Sequence, residues 1–362
     1  MKDRSIILIT LFLALSFGAG PVFAAANTSA ALDYLKTQQN ADGGFGSGFS
    51  PDSTLSSTAD VVLAITATGA DPVTFDRGGN TPLTYLASRA PSAATAGELA
   101  KLILAVVAAG ENPRQFGGID SVAKLEDLIG TGGKIGTETD TFVSHTLAVL
   151  ALASAQRPIP GTAVELLRAT QQESGGWAWD GSVATAADTN TTAFAVQALL
   201  AAGEAADGDA VTKALAYYRS IQNDDGGWPY QNPSDFGTAT DANSTAVTIQ
   251  AILAAGQDPA GAEWTATEGK TPVAALEALQ NDSGAFAWQA TASDDNLLAT
   301  VQALPAVVGK AFPFATLNVG EAVAATPTSL PETGGAAANE VLLLVSGGLA
   351  LLSAGYALRR GK

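Results

Sequence analysis

A short phrase occurs four times in this chain: Gln39, Asn40, Ala41, Asp42, Gly43, Gly44, Phe45, and then residues 171–177, 222–228 and 280–286. Each copy reads Gln, a polar residue, two small or acidic residues, Gly, Gly or Ala, and an aromatic. An amphipathic stretch precedes every copy, at residues 31–37, 164–170, 214–221 and 273–279. The Gln is therefore expected on the last turn of a helix, where its amide can reach carbonyls without helical partners. The following Gly supplies the left-handed conformation that ends helices, and the aromatic returns to pack on the helix just finished. A second, more apolar segment follows, as at residues 58–69, 99–110, 192–203 and 245–256, and stops on Gly, in three cases with Pro just beyond (Pro72, Pro113, Pro259). Its Ala, Val, Leu, Ile and Thr lie on every side, as in a helix buried all round.

Gln39 and Gln171 are much further apart than the later copies, so degenerate repeats are expected between them. Tyr85 and Leu86 before Arg89, and Lys124 and Leu125 before Gly132 and Gly133, fill the outer positions, and residues 140–154 supply the missing inner helix. Six outer and inner pairs result. Units that cannot bury their own apolar faces must stack, and six helical hairpins can close into a ring.

Tyr34 and Leu35 before Gln39 and Gly43-Gly44-Phe45, with Tyr217 and Tyr218 before Gln222 and Gly226-Gly227-Trp228, resemble the QW repeats of squalene and oxidosqualene cyclases. They resemble equally the Gly-Gly-aromatic repeats of protein prenyltransferase beta subunits. The resemblance covers about residues 30–308 and implies an all-α fold, an α6/α6 toroid with inner helices around a central cavity. It says less about chemistry, because one fold hosts many functions.

The ends add an expected address. Lys2, Arg4, an apolar run at 6–17 and small residues near Ala24 read as a signal peptide over 1–24. At the other end Leu330, Pro331, Glu332, Thr333 and Gly334 precede an apolar span at 341–358 and a basic tail. Residues 330–362 resemble an LPxTG sorting signal, which implies that a sortase cuts after Thr333 and joins it to peptidoglycan. A plain C-terminal membrane anchor is the alternative. The toroid is assigned to 27–310, and residues 311–329, rich in Ala, Pro and Thr, read as a linker. The chain has no cysteine, so packing without disulfides must hold an exported ring together. A net charge of -17 argues against a nucleic-acid partner.

The catalytic sets implied by the resemblance are missing. Squalene-type cyclases protonate with Asp-x-Asp-Asp, which neither 207–210 nor 293–296 matches. Prenyltransferases hold zinc with Asp, Cys and His; without Cys, His145 is read as an ordinary buried or solvated residue, and no metal or cofactor is expected. Complement-type thioester domains also need a Cys. Transcobalamin-type carriers pair a similar ring with a β domain for which no room remains.

Something nonetheless recurs before the inner helices. Trp177-Ala178-Trp179, Trp228-Pro229-Tyr230 and Phe286-Ala287-Trp288 are followed by Asp188-Thr189-Asn190, Asp241-Ala242-Asn243 and Asp294-Asp295-Asn296. Trp179, Tyr230 and Trp288, with Asn190, Asn243 and Asn296, are expected to surround a cavity mouth, since aromatic faces beside Asp and Asn bind sugars, isoprenoid chains and cations. The bland reading of the Asp residues is helix N-capping. Asn190 with Gln197, and Asn243 with Gln250, share helix faces and need partners, either on neighbouring helices or in a wet cavity. The leading expectation is a surface-displayed toroid that binds a lipid, isoprenoid, glycan or protein partner without chemistry. The alternatives are a divergent cyclase or prenyltransferase using Asp188, Asp241 or Asp294 as its acid, and a glycan-active or purely structural surface protein.

Overall fold

The computed structural model describes residues 26–321 apart from Phe49 and Phe236, and the elements form one compact unit that ends at Gly320. The expected signal peptide, the sorting motif and the apolar span at 341–358 lie outside the described residues. Among the described residues no helix is long and apolar enough to cross a membrane.

Twelve α-helices alternate between two layers among the described residues. The outer ones are α1 (Thr28–Gln38), α3 (Pro82–Arg89), α5 (Ser121–Glu126), α7 (Gly161–Ala169), α9 (Asp209–Ile221) and α11 (Pro272–Glu277). The inner ones are α2 (Leu55–Ala67), α4 (Ala96–Ala108), α6 (Phe142–Ser154), α8 (Thr189–Ala201), α10 (Ala242–Ala254) and α12 (Leu297–Val307). Each inner helix packs on the next, and α12 packs back on α2, so the expected six-pair ring is present and closed. Fully buried alanines such as Ala100, Ala148, Ala195, Ala246 and Ala303 let the inner helices approach closely, and the core lies between the layers.

The repeated phrase joins repeats, and its left-handed Gly (Gly43, Gly175, Gly226 or Gly284) lies five to seven residues beyond the outer helix instead of ending it as expected. Gln39 and Gln222 sit one step past the last turn, in extended backbone, and not on it as expected. Their amides do not reach the carbonyls of the helix just ended. Gln222 Nε2 donates to Gly226 O and to Trp264 O, and Gln171 Nε2 to Gly175 O and to Ala210 O of the next outer helix. The indole takes the role expected of the amide: Trp177 Nε1 donates to Leu167 O at 2.7 Å and Trp228 Nε1 to Tyr218 O at 2.8 Å, in the last turns of α7 and α9. Gly175 (φ +92°) could not carry a side chain, because a Cβ there would lie 2.2 Å from Lys213 O in α9.

The aromatic residue's own N–H is bound in turn by the next inner helix. Phe45, Trp177, Trp228 and Phe286 donate to the hydroxyls of Thr58, Thr192, Thr245 and Thr300, each four residues past an N-cap. In the degenerate third unit Ile135 replaces the aromatic, and its N–H donates to His145 Nδ1 at 3.0 Å. His145 Nε2 then lies 3.3 Å from Ala163 O, its acceptor. Burial lowers the His145 pKa to about 4, as a neutral structural ring requires.

Two features depart from the sequence expectations, the first from an all-α fold and the second from a linker after residue 310. Strands β1 (Phe286–Gln289) and β2 (Ala292–Asn296) pair antiparallel between α11 and α12. Residues 311–320, expected to begin a linker, are instead strapped across the ring. Leu317 N–H donates to Ser154 O, Ser154 Oγ to Ala315 O, and Phe312 N–H to Gln197 Oε1. At its end Gly320 O accepts from both Arg114 and Arg157.

Candidate functional site

The inner helices begin in register, and that register builds the centre of the ring. Counting from the first helical residue, the sixth positions are Asp60, Lys101, Leu147, Phe194, Val247 and Gln302. All six line one central cavity of about 200 Å³. One turn further on, Leu63, Leu104, Gln250 and Pro305 continue the wall. The strap supplies Phe312 and Phe314, whose rings stack at 4.1 Å, and Phe312 also meets Phe194 at 6.2 Å.

The cavity is apolar with a few fixed polar groups. Lys101 Nζ lies 2.6 Å from Asp60 Oδ2, an ion pair across α2 and α4. Asn243 Nδ2 donates to Gln302 Oε1 at 2.8 Å. Gln250 is 2 % exposed, and its Oε1 has no hydrogen-bond partner. A smaller hollow of about 60 Å³ shares Asp60 and Val301 with the cavity and is bordered by Gly46, Ser47, Gly48 and Leu298 at the seam between the first and last repeats.

The residues singled out from the sequence fall into different roles. Asp188 and Asp241 are N-caps, as their bland reading had it: Asp188 Oδ1 accepts from Thr191 N–H and Asp241 Oδ1 from Ser244 N–H, both at 2.7 Å. Burial, opposed by these bonds, still raises both pKa values to about 6. Asp241 Oδ2 accepts from Ser244 Oγ, whereas Asp188 Oδ2 has no hydrogen-bond partner, although the Tyr230 phenol is near enough to lower the Asp188 pKa. Neither carboxylate lines the cavity.

The third Asp-x-Asn does not align with the other two. Alignment on Thr192, Thr245 and Thr300 makes Asn296 the counterpart of Asp188, and Asn296 Oδ1 duly caps α12 by accepting from Ala299 N–H. Asp294 is then an exposed residue of β2, unlike the buried Asp188 and Asp241, and Leu298 stands where Asn190 and Asn243 stand. The β-hairpin causes the two-residue offset by carrying the acidic residues before the helix starts.

Trp179, Tyr230 and Trp288 are 52 %, 45 % and 44 % exposed and line none of the cavity wall. Their segments stitch neighbouring loops: Trp179 O accepts from Phe142 N–H at the start of α6, and Tyr230 O from Thr189 N–H at the start of α8. Asn243 reaches the cavity through Gln302, and Asn190 Oδ1 is buried without a hydrogen-bond partner. Sequence reasoning missed Asp60, Lys101, Phe194, Gln302, Phe312 and Phe314. The available signal was a charge at the same position in two largely apolar inner helices, Asp60 and Lys101.

Comparisons with known proteins agree with this geometry. Residues 132–295 match the squalene-hopene cyclase C-terminal domain, and residues 9–88 match the prenyltransferase alpha-alpha toroid domain. None of the curated protein sequences matches the chain. Among solved structures, the type II terpene cyclase MstE from Scytonema, in its apo form, superposes with a TM-score of 0.57 at 15% identity, covering 78% of this chain and 96% of that one. A variant of that cyclase in complex with geranylgeranyl dihydroxybenzoate gives a TM-score of 0.55 at 15% identity over 78% and 95% of the two chains. A protein from Actinoplanes gives 0.54 at 14% identity over 78% and 98%. The chain carries the helical toroid found in squalene-hopene cyclase and prenyltransferase domains and in type II terpene cyclases.

Proposed function

We propose that this toroid is a non-catalytic binding module whose central cavity takes a small ligand. The observation that carries the reading is the cavity itself: its one carboxylate, Asp60, is held by Lys101, and the chain's own Phe312 and Phe314 form part of its wall. A cyclase acid must face the substrate as a proton donor, whereas an ion-paired carboxylate only accepts. At about 200 Å³ the space is also below the roughly 300–1,000 Å³ of pockets that take drug-sized ligands, and so suits a compact molecule better than a long prenyl chain. The proposed setting is the outer surface of a bacterium, with a sortase joining Thr333 to peptidoglycan, or with the span at 341–358 as a membrane anchor. This rests on the order of leader, sorting motif, apolar span and basic tail in the sequence.

Native mass spectrometry of the purified protein tests the binding reading. A small molecule should be retained by the natural chain and lost from Leu104→Phe, which fills the cavity. Retention that is indifferent to that substitution would move the ligand elsewhere, to the exposed Trp179, Tyr230 and Trp288.

One observation favours an enzyme instead: burial lifts Asp188 and Asp241 to about 6, in the range of a tuned acid. Cyclised product formed from polyprenyl substrates and abolished by Asp188→Asn or Asp241→Asn would establish that alternative.

A further inference from the structure

Resting on that binding reading, we infer that the cavity selects a compact, neutral ligand whose head both donates and accepts hydrogen bonds, an amide or alcohol on a ring-sized apolar body. The argument begins with Gln250. It stands at the ninth position of α10, on the cavity wall, almost fully buried, with Oε1 unsatisfied. A buried amide oxygen without a partner is costly, so such groups are normally paired with protein, water or ligand. Gln250 Nε2 also donates to no described residue, so the whole carboxamide is unpaired at the cavity wall, and rotation about its terminal torsion can turn its donor or its acceptor towards a ligand. Gln302, on the adjacent helix α12, has its oxygen committed to Asn243, which leaves its amide N–H groups free to donate into the same space. Two carboxamides arranged in this way complement a group of their own kind.

The charged wall gives the second half of the argument. Asp60 and Lys101 neutralise each other at 2.6 Å, so a charged head would have to break that pair to gain a charged partner. A neutral head leaves it intact. The remaining wall is apolar throughout, from Leu63, Leu104 and Phe194 to Val301, Pro305 and the strap's two phenylalanines, which suits an apolar body. Size follows from volume: a dry cavity of about 150 Å³ accommodates benzene, so about 200 Å³ accommodates a six-membered ring bearing one small head.

The test is a titration of the purified protein, read by ligand-observed NMR, with five probes on one ring: cyclohexanecarboxamide, cyclohexanol, methylcyclohexane, cyclohexanecarboxylate and cyclohexylammonium. The carboxamide and alcohol are expected to bind at least tenfold more tightly than the hydrocarbon and both ions. Gln250→Met, which keeps length and volume, should reduce that advantage about tenfold while leaving hydrocarbon binding unchanged. Unchanged hydrocarbon binding also demonstrates that the variant is folded, and Gln302→Met provides a second, independent variant expected to act in the same direction. Equal binding of carboxamide and hydrocarbon, or an advantage that survives both substitutions, overturns the head-group assignment and leaves the binding module standing. Preference for the carboxylate or the ammonium also overturns it, transferring the head to Lys101 or Asp60. Failure of all five probes overturns the cavity-binding reading and this inference together.

Discussion

Asp188 and His145 are buried titratable groups that serve the scaffold, and their linkage to pH has opposite signs. Burial raises Asp188 from 3.8 to about 6, so the folded state holds its proton more tightly than the unfolded chain does. Its contribution is unfavourable above about pH 6 and fades as pH falls towards 4. His145, lowered from 6.5 to about 4, favours folding above about pH 6.5 and loses that contribution as pH falls through 4. The two effects partly cancel in the natural protein. Asp188→Asn separates them, because Asn caps helices as well as Asp does and carries no charge to bury. The variant is expected to be more stable at pH 8 by up to about 3 kcal/mol, with the difference shrinking to near zero at pH 4. Urea denaturation of both proteins across that range checks it, since His145 is common to both; a gain independent of pH would sink the assignment. His145→Ala should cost about 3 kcal/mol at pH 7, because Ile135 N–H and Ala163 O lose their partner inside the core. A threonine in its place would restore only the Ile135 bond, as threonines do in four of the other units.

At the scale of elements, helix ends were legible and helix starts were only partly so. A left-handed Gly just past an inner helix has one physical reading, and Gly69, Gly110, Gly203 and Gly256 adopt it directly after the caps of α2, α4, α8 and α10, whereas Gly43, Gly175, Gly226 and Gly284 are left-handed in the turns beyond the outer helices. The start of α12 was misread because Asp294, Asp295 and Asn296 are all capping residue types; which one caps depends on the β1–β2 pairing, a long-range choice that composition does not reveal. The cavity wall depends on that same register, so Asp60, Lys101 and Gln302 could be placed together only once every cap was known. The strap was illegible for a different reason. Phe312 and Phe314 sit in a stretch without helical or strand periodicity, and what orders them is packing against a ring built by the rest of the chain. Arg114→Ala probes that docking without touching the cavity, since Arg114 holds Gly320 O while paired to Asp120. Amide hydrogen exchange at residues 315–320 is expected to rise at least tenfold in this variant, with α8 and α10 unaffected. Exchange that stays at the natural rate would mean that Arg157, the Ser154 bonds and the packing of Phe312 and Phe314 hold the strap without Arg114.

For the whole molecule the question is whether six hairpins behave as a ring or as a row. In an open solenoid the end repeats have one neighbour each and fray first. Here the ends are joined: Gln280 Nε2 donates to Asn27 O, Asn27 N–H donates back to Gln280 Oε1 at 2.7 Å, and Gly284 abuts Ala30. Beneath this contact Leu35, Phe45 and Ile65 of the first repeat share a core cluster with Val301 and Leu304 of the last. No cysteine reinforces the closure, so it depends on the same Gln device that joins interior repeats. That equivalence makes an internal comparison possible. Gln222→Leu breaks an interior junction and leaves the Gly226 and Trp264 carbonyls unpaired, while Gln280→Leu does the corresponding damage at the seam. In a closed ring both substitutions should lower the free energy of unfolding by a similar amount, about 1–3 kcal/mol, within a single cooperative transition. In a row the seam variant would be nearly silent, because its junction would join ends that already fray. Urea denaturation of the two variants decides between them, and a Gln280→Leu loss well below that of Gln222→Leu would rule out energetic closure of the ring.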